Sequence, residues 1–312
     1  MSFIEVAESQ GIRIYARKGD RLSFFNSPYY SHRHYSALDI YSGDREFGGY
    51  AYSPVDGRVV LIRPFNPPTP KQFRGSEKDW IILIECGSNS SLSVRLLHVE
   101  PAISEGEKIH VGDSIGRLLR TGHFDFWTDP HIHVEVRDPK NVIRAKGAYP
   151  LNPLNASNEL EFKNRSSQLF CPEFEVSSVE RDYVLVKAED KICRLGNFWG
   201  LRCEVDGQTG ILDAGIPHYG YGGVHLKDSS CIKAGSSVSF EGIKLGVIKK
   251  VFRNYAVFAP SPIRISLGNL QMRGLSLYLS LGKIGEVKVI PFKPSDLRRI
   301  NLQENAKIRI YS

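Results

Sequence analysis

The sequence predicts a mostly β protein of two domains, and three observations carry that reading. Glycine (28) and proline (17) are plentiful among the 312 residues, which suits many short strands and turns. Period-two alternation recurs, as in "PHIHVEV" at 130–136, whereas long apolar helical stretches are hard to find. The chain is too long for one ordinary core and about right for two. A hydrophobic content of 41% and a charged content of 24% are those of a soluble globular protein.

Taken in order, residues 1–30 read as two or three short strands with turns at Gly11 and at "RKGD". "NSPYYSHRHYSALDIYSGD" reads as a loop running into a short strand. "YAYSPVDGRVVLI" gives two strands around a tight turn at Asp56-Gly57. "DWIILIECGSNSSLSVRLLHV" is a hairpin with a Gly/Ser/Asn loop. "AISEGEKIHVGDSIGRLL" spaces its glycines as corners of a small, strongly bent sheet. "PHIHVEVRD" is a further strand. After "YPLNPLNASNEL" the composition turns polar, so the boundary is placed to give domains 1–158 and 159–312. In the second domain "YVLVKA", "SSVSFEG", "YAVFA", "LSLYLSLG" and "EVKVI" are strand candidates. Residues 103–116 and 232–246 share a glycine–aliphatic spacing, each preceded by a histidine, His98 or His225. A decayed duplication and the general likeness of glycine-rich hairpins both account for this.

Several function classes are disfavoured. The formal charge of +7 draws the chain toward polyanions, but no dense Lys/Arg run or nucleic-acid motif accompanies it, so nucleic acid is not expected as a partner. No run of about 18 apolar residues occurs, so no transmembrane helix is expected. The stretch "MSFIEVAESQGIRIYARKGD" carries charges early and lacks an apolar h-region, so a cytoplasmic location is expected unless a leader precedes it. Cys86, Cys171, Cys193, Cys203 and Cys231 are odd in number and form no CxxC, which favours reduced structural thiols.

The chemistry gathers in the first domain. Successive strand side chains point to opposite faces, so His131 and His133 share one face while Ile132 and Val134 take the other. Two imidazoles on one strand face can be aimed at a metal. Asp39, between Leu38 and Ile40, is expensive to bury unless a cation offsets its desolvation. His98 ends the apolar strand "SVRLLHV". One histidine from positions 32 and 34, with Asp39 and one histidine of the HxH pair, would fill a three-ligand zinc set, leaving two histidines to move protons.

The order H…D-I, "LLHV", G-x2-I-x2-G-x2-I-G, then T-G…P-H-I-H-V-E-V resembles the lysostaphin/LytM-type zinc endopeptidases over about residues 30–155. The resemblance implies a small, strongly curved antiparallel β domain with a groove over Zn2+. It implies hydrolysis of an amide in a peptide of bacterial-wall type. It implies Asp39 and His133 as metal ligands, and His98 and His131 as the catalytic pair that polarises water and relays protons. The family spaces its first ligand as H-x3-D, where this sequence has Tyr35. His34, at H-x4-D, is preferred over His32, at H-x6-D, with a one-residue bulge bringing it to the metal. The alternative is a catalytically inactive binding or regulatory module on the same fold. A weaker rival is a phosphocarrier-like protein bearing paired histidines.

The remaining candidates are read more plainly. His110 is expected on an exposed hairpin and Glu135 in solvent. The loop with His123, Phe124, Phe126 and Trp127 suits either a groove wall or packing, and Tyr29, Tyr30 and Tyr35 lean to packing. His218 and His225 fall in a Gly/Tyr-rich loop not expected to bind metal.

Overall fold

The computed structural model describes residues 1–87, 91–154, 160–162, 173–282, 285–300 and 307–311. The sequence-derived boundary at 158/159 and Cys171 lie outside these residues. The chain divides into two compact units: Met1–Phe24 with Tyr29–Leu154, and Phe25–Pro28 with Asn155–Ser312. Both are built almost entirely of antiparallel strands, the mostly β class that the alternation and turn residues foretell. No helix among the described residues is long and apolar enough to cross a membrane.

In the first unit the main sheet runs in spatial order Arg21–Ser23, Leu38–Tyr41, His131–Arg137, Ser93–Leu97, Asp79–Glu85, Gly57–Phe65 and Lys108–Ile109. Two three-stranded sheets accompany it. Phe3–Ser9 lies between Asn152–Pro153 and Ile12–Arg17, and Ser114–Leu118 lies between Tyr50–Tyr52 and Val99–Pro101. Bulges between Glu5 and Ala7, Val59 and Leu61, and Ser114 and Gly116 bend the strands, the last of them within the glycine-spaced segment read as corners. The strand His131–Arg137 is buried along its whole length. Its Ile132, Val134 and Val136 face joins Leu38, Ile82, Ile84, Val94 and Leu96 among the buried apolar residues. The opposite face is just as buried but carries His131, His133, Glu135 and Arg137, so each of these polar groups must find a partner inside.

The second unit contains two rings of six antiparallel strands. Glu173–Val179, Val184–Lys187, Glu286–Pro291, Leu270–Leu277, Arg264–Leu267 and Lys307–Tyr311 pair in succession, and the last returns to the first. Phe198–Val205, Gln208–Ile216, Gly222–Leu226, Tyr255–Pro260, Ile243–Val251 and Ser237–Phe240 close in the same way. Closure removes the unpaired edges that isolated sheets expose. The five strand candidates read from the sequence fall on strands here. "PHYGYGGVH" does not read correctly as a loop throughout: Gly222–Leu226 is a buried strand inside the second ring. The two glycine-spaced segments are alike in their turns but not in their pairing. Ser237–Phe240 pairs with Ile243–Val251, whereas Lys108–Ile109 pairs with Arg58 and Gly57, and Ser114–Leu118 with Tyr50–Tyr52 and Val99–Pro101.

Gly116 shows how local sequence fixes the corner next to the main sheet. Its φ is +153°, and a Cβ there would sit 2.0 Å from the Glu100 carbonyl oxygen. Gly116→Ala is therefore expected to destabilise the first unit by about 2 kcal/mol or more. A urea midpoint unchanged from wild type would contradict this account of the bulge.

Candidate metal centre

Backbone register makes the centre of the site. Leu38–Tyr41 pairs with His131–Arg137 so that Asp39 stands directly opposite His133, and Tyr41 opposite His131. Directly opposed residues hold their Cβ atoms roughly 5 Å apart, close enough for short polar side chains to meet. The Asp39 Oδ1 lies 2.8 Å from His133 Nδ1. The third member arrives from the loop before the Asp39 strand. A single helical turn, Tyr30–Arg33, carries His32, which is fully buried. Tyr35 then takes the left-handed conformation at φ +60° and turns the chain back into the sheet. His32 Nε2 lies 3.2 Å from Asp39 Oδ1 and 3.3 Å from His133 Nδ1. Among the described residues these three form a group whose ligand atoms all lie within 4.8 Å of one another.

This placement corrects the preference for His34 over His32. His34 is exposed, its ring stacks on Tyr30 at 3.8 Å, and its Nδ1 donates to the Tyr30 carbonyl at 2.8 Å. The helical turn, not a bulge, absorbs the extra residues between the first histidine and Asp39. Positions two apart around a helical turn, such as 32 and 34, face different ways, so only one of them can look inward.

The hydrogen bonds on the far side of each ring fix what faces the centre. His32 Nδ1 donates to the Phe24 carbonyl at 3.0 Å, and His133 Nε2 to Glu135 Oε1 at 2.9 Å. With those outer nitrogens protonated, the inner nitrogens of the neutral rings present lone pairs toward the Asp39 carboxylate. Two imidazole nitrogens and a carboxylate oxygen then converge on one point, and either a proton on His133 or a cation reconciles them. Edges of about 3.3 Å are those of a tetrahedron with metal–donor bonds near 2.0–2.1 Å; two of the separations here, 3.2 and 3.3 Å, are close to that, and the third, 2.8 Å between Asp39 Oδ1 and His133 Nδ1, is that of a hydrogen bond. Two imidazole nitrogens and one carboxylate oxygen suit a borderline cation such as zinc better than the oxygen-seeking magnesium or calcium.

Electrostatics agree with the geometry. Burial by itself would raise the Asp39 carboxyl, but the imidazoles of His32, His131 and His133 hold it well below the usual carboxylate range. Burial would lower His133; its bonds to Asp39 and Glu135 outweigh that and raise it to about 9. Glu135 does not sit in solvent as its sequence position suggests. It is fully buried, with Arg95 at 2.6 Å and Arg137 at 2.9 Å from Oε2. Its neighbours overcome burial and hold it down at about 2. Arg95 stands opposite Glu135 in the next strand.

The two remaining histidines border the same centre. His131 Nε2 lies 3.6 Å from Asp39 Oδ2, while its Nδ1 donates to the Asp129 carbonyl at 2.9 Å. Burial pushes His131 down to about 4, helped by His98 and opposed by Asp39. Phe124 stacks on one side of it at 4.6 Å and Tyr41 lies tilted against it at 4.7 Å. His98 lies 5.2 Å from His131 and 6.0 Å from His133, ring centre to ring centre. Its φ of +69° bends the strand end, and Asp79 grips it twice, from the backbone amide at 2.9 Å and from Nδ1 at 2.6 Å. The structure thus brings Asp39, His133, His98 and His131 together and adds His32. Sequence reasoning did not single out Asp79 or Asp129: Asp79 reaches His98 from a strand nineteen residues earlier, and Asp129 offers His131 its backbone carbonyl. His110 is exposed, as expected, and Phe124, Phe126 and Trp127 are packed.

These shifts set a pH profile for chelator-treated protein. His131 titrates near 6.5 unfolded but near 4 folded, so the unfolded chain takes up the extra proton first. Stability should fall by on the order of 3 kcal/mol as pH drops from about 6.5 to about 4. His133, raised in the fold, contributes stability that is complete below about 6.5 and lost as pH rises toward 9. The thermal midpoint should therefore peak near neutrality, and a midpoint that climbs steadily from pH 4 to 9 would be at odds with this assignment.

Several solved structures share a faint likeness with the chain. Helicobacter pylori Csd3 gives a TM-score of 0.24 at 19% identity, covering 47% of this chain and 40% of that one. A zinc-containing peptidase from Vibrio cholerae gives 0.25 at 18% identity, covering 46% and 44%. Lysostaphin in solution gives 0.23 at 12% identity, covering 72% and 86%. The chain thus spans less than half the length of the first two. Likeness at these scores decides nothing about the site. No curated protein matches the sequence. Residues 12–153 match the family model described as the N-terminal domain of a domain of unknown function (DUF8155), and residues 172–310 match the model of its C-terminal domain, in that order along the chain.

Proposed function

We propose that this chain is a zinc-dependent hydrolase of amide bonds, acting on a peptide of bacterial-wall type, the substrate class its motifs resemble. The observation that carries the reading is the convergence of His32 Nε2, Asp39 Oδ1 and His133 Nδ1 on one buried point. These three residues would hold the metal. When bound, zinc would acidify a water in its open position and polarise the scissile carbonyl.

The chain's own residues supply the proton movements. The Asp129 carbonyl fixes His131 with its proton on Nδ1, which leaves the Nε2 lone pair on the side of the metal centre. Kept neutral by burial, His131 accepts the proton of the attacking water. His98, held by Asp79, stands beside it and is placed to take that proton on and pass it to the leaving amine, which returns both rings to their starting state. Phe124 packs against both rings and keeps bulk water from them. No glutamate takes the part of base: Glu135 is committed to His133 and two arginines.

Metal content tests the ligand set. Purified protein loaded with zinc should retain about one zinc per chain. His32→Ala, Asp39→Ala and His133→Ala should each abolish retention, whereas His34→Ala should leave it intact. Retention lost in His34→Ala but kept in His32→Ala would overturn the assignment.

Activity tests the rest. Wall-type peptides with small or D-configured residues, followed by mass spectrometry, should be cut by the zinc form. His131→Ala should keep its zinc and lose about 10²–10⁴-fold in kcat. Zinc retained without cleavage of any such peptide would favour the binding-module reading.

A further inference from the structure

After the strand His131–Arg137 the chain of the first unit makes a loop, residues 138–147, that turns its carbonyls inward. A bridge between Arg137 and Ala148 closes the base of this loop. Asp138 opens it: its side chain accepts from the Lys140 amide at 2.8 Å, and its carbonyl accepts from the Asn141 amide at 2.9 Å. Three carbonyls along the loop accept from two buried guanidiniums. Arg95 Nη1 donates to the carbonyls of Val142 at 2.7 Å and Arg144 at 3.3 Å. Arg137 Nη2 donates to the Lys146 carbonyl, which also accepts from Asn141 Nδ2 at 3.3 Å. Apolar burial does not hold the loop, since its Ile143 is 63% exposed. Gly147 makes the path possible. Its φ is +99°, and a Cβ there would stand 2.1 Å from Asn141 Nδ2 and 3.6 Å from Arg137 Nη2.

The same two guanidiniums hold Glu135. Arg95 Nη2 and Arg137 Nη1 donate to its Oε2 at 2.6 and 2.9 Å. Each arginine thus spends one terminal nitrogen on the carboxylate, and its other terminal nitrogen needs an acceptor inside the protein. The loop carbonyls supply it. The remaining carboxylate oxygen, Oε1, accepts from His133 Nε2 at 2.9 Å. On the other side of that ring, Nδ1 lies 2.8 Å from Asp39 Oδ1. An unbroken line of hydrogen bonds therefore runs from the loop, through two arginines and one glutamate, to a candidate metal ligand. Every member of it belongs to the first unit.

We infer that the loop 138–147 positions His133 from outside the site: its carbonyls hold Arg95 and Arg137, the two arginines hold Glu135, and Glu135 fixes the ring rotation that turns His133 Nδ1 toward Asp39. Glu135, Arg95, Arg137 and Gly147 are positioning residues on this account. The strand pairing sets where the His133 backbone stands, and the loop sets how its ring is turned. The consequence for zinc rests on the function proposed above; the consequence for the imidazole does not.

The test uses the full chain and two readouts. Gly147→Ala is the main variant, because it alters no charge and removes no hydrogen-bonding side chain. In metal-free protein the Nε2 proton of His133, followed by nitrogen-edited NMR, should exchange with water at least tenfold faster in Gly147→Ala. Backbone amides of residues 38–41 and 93–97 should keep their wild-type rates. Arg137→Lys, which keeps the charge but cannot reach Glu135 and the loop together, should act in the same direction. Zinc affinity, measured by competition with a chromophoric chelator, should fall about 10–100-fold in the same variants, the range for loss of outer support at a metal site. If Arg137→Lys fails to fold, Gly147→Ala and Asn141→Ala carry the test. Loop amides that quicken while the His133 Nε2 proton keeps its wild-type rate would overturn the inference, and so would wild-type zinc affinity in variants whose Nε2 proton quickens. Wild-type protein that binds no zinc would instead overturn the metal-centre reading, and the imidazole proton would still judge the loop.

Discussion

The pairing of Asp39 with His133 across two antiparallel strands is the constraint on which the rest of the first unit depends. It places a carboxylate in the interior, opposite an imidazole whose Nδ1 lies 2.8 Å from it. Side chains alternate with a period of two, so a slip of one residue would carry His131, His133, Glu135 and Arg137 to the apolar side and Ile132, Val134 and Val136 to the polar one. Register is therefore specified by both faces at once. The apolar face could tolerate exchanges of aliphatic residues, but the polar face could not, because each buried group is matched to a partner at a fixed position on a neighbouring strand.

Much of this was legible because strand geometry is rigid. The HxH alternation, the aspartate between two aliphatics and the histidine at a strand end each follow from period-two placement, and the fold gathers them. His32 was less legible than His34. Counting residues to Asp39 assumes an extended approach, whereas the chain spends one helical turn and a left-handed Tyr35 on the way. Glu135 could be assigned to the correct face but not to the interior. Its burial depends on Arg95, forty residues earlier, standing opposite it. Asp79 and Asp129 are invisible for the same reason: their meaning comes from contacts with His98 and His131. Gly223 looks like a strand-weakening residue until the Phe25 ring is seen where its Cβ would be, and Gly215 until Tyr219 is seen in the same way.

Support for the site is layered, and each layer limits the next. The imidazoles of His32, His133, His131 and His98 each spend one nitrogen on an acceptor: a backbone carbonyl for His32 and His131, a carboxylate for His133 and His98. This sorts four chemically identical rings into distinct parts. The remaining nitrogens of His32 and His133 lie 3.3 Å apart beside one oxygen of Asp39. His131 faces the other oxygen of Asp39, which also accepts from the Tyr41 hydroxyl. The roles are set by which nitrogen is already engaged, and protein hydrogen bonds decide that before any ligand arrives.

Charge balance ties the layers together. Five buried carboxylates of the first unit, Asp20, Asp39, Asp79, Asp129 and Glu135, accompany three buried guanidiniums, Arg21, Arg95 and Arg137. Interior charges are tolerated when they are compensated nearby. Asp129 meets Arg21, Glu135 meets Arg95 and Arg137, and Asp20 meets Arg17, whereas Asp39 and Asp79 each face imidazoles. A proton on His133 offsets the charge of Asp39, which is why that imidazole is drawn up to about 9 and the carboxyl is held low. The register that sets Asp39 opposite His133 thus makes this part of the interior sensitive to whatever positive charge stands beside the carboxylate.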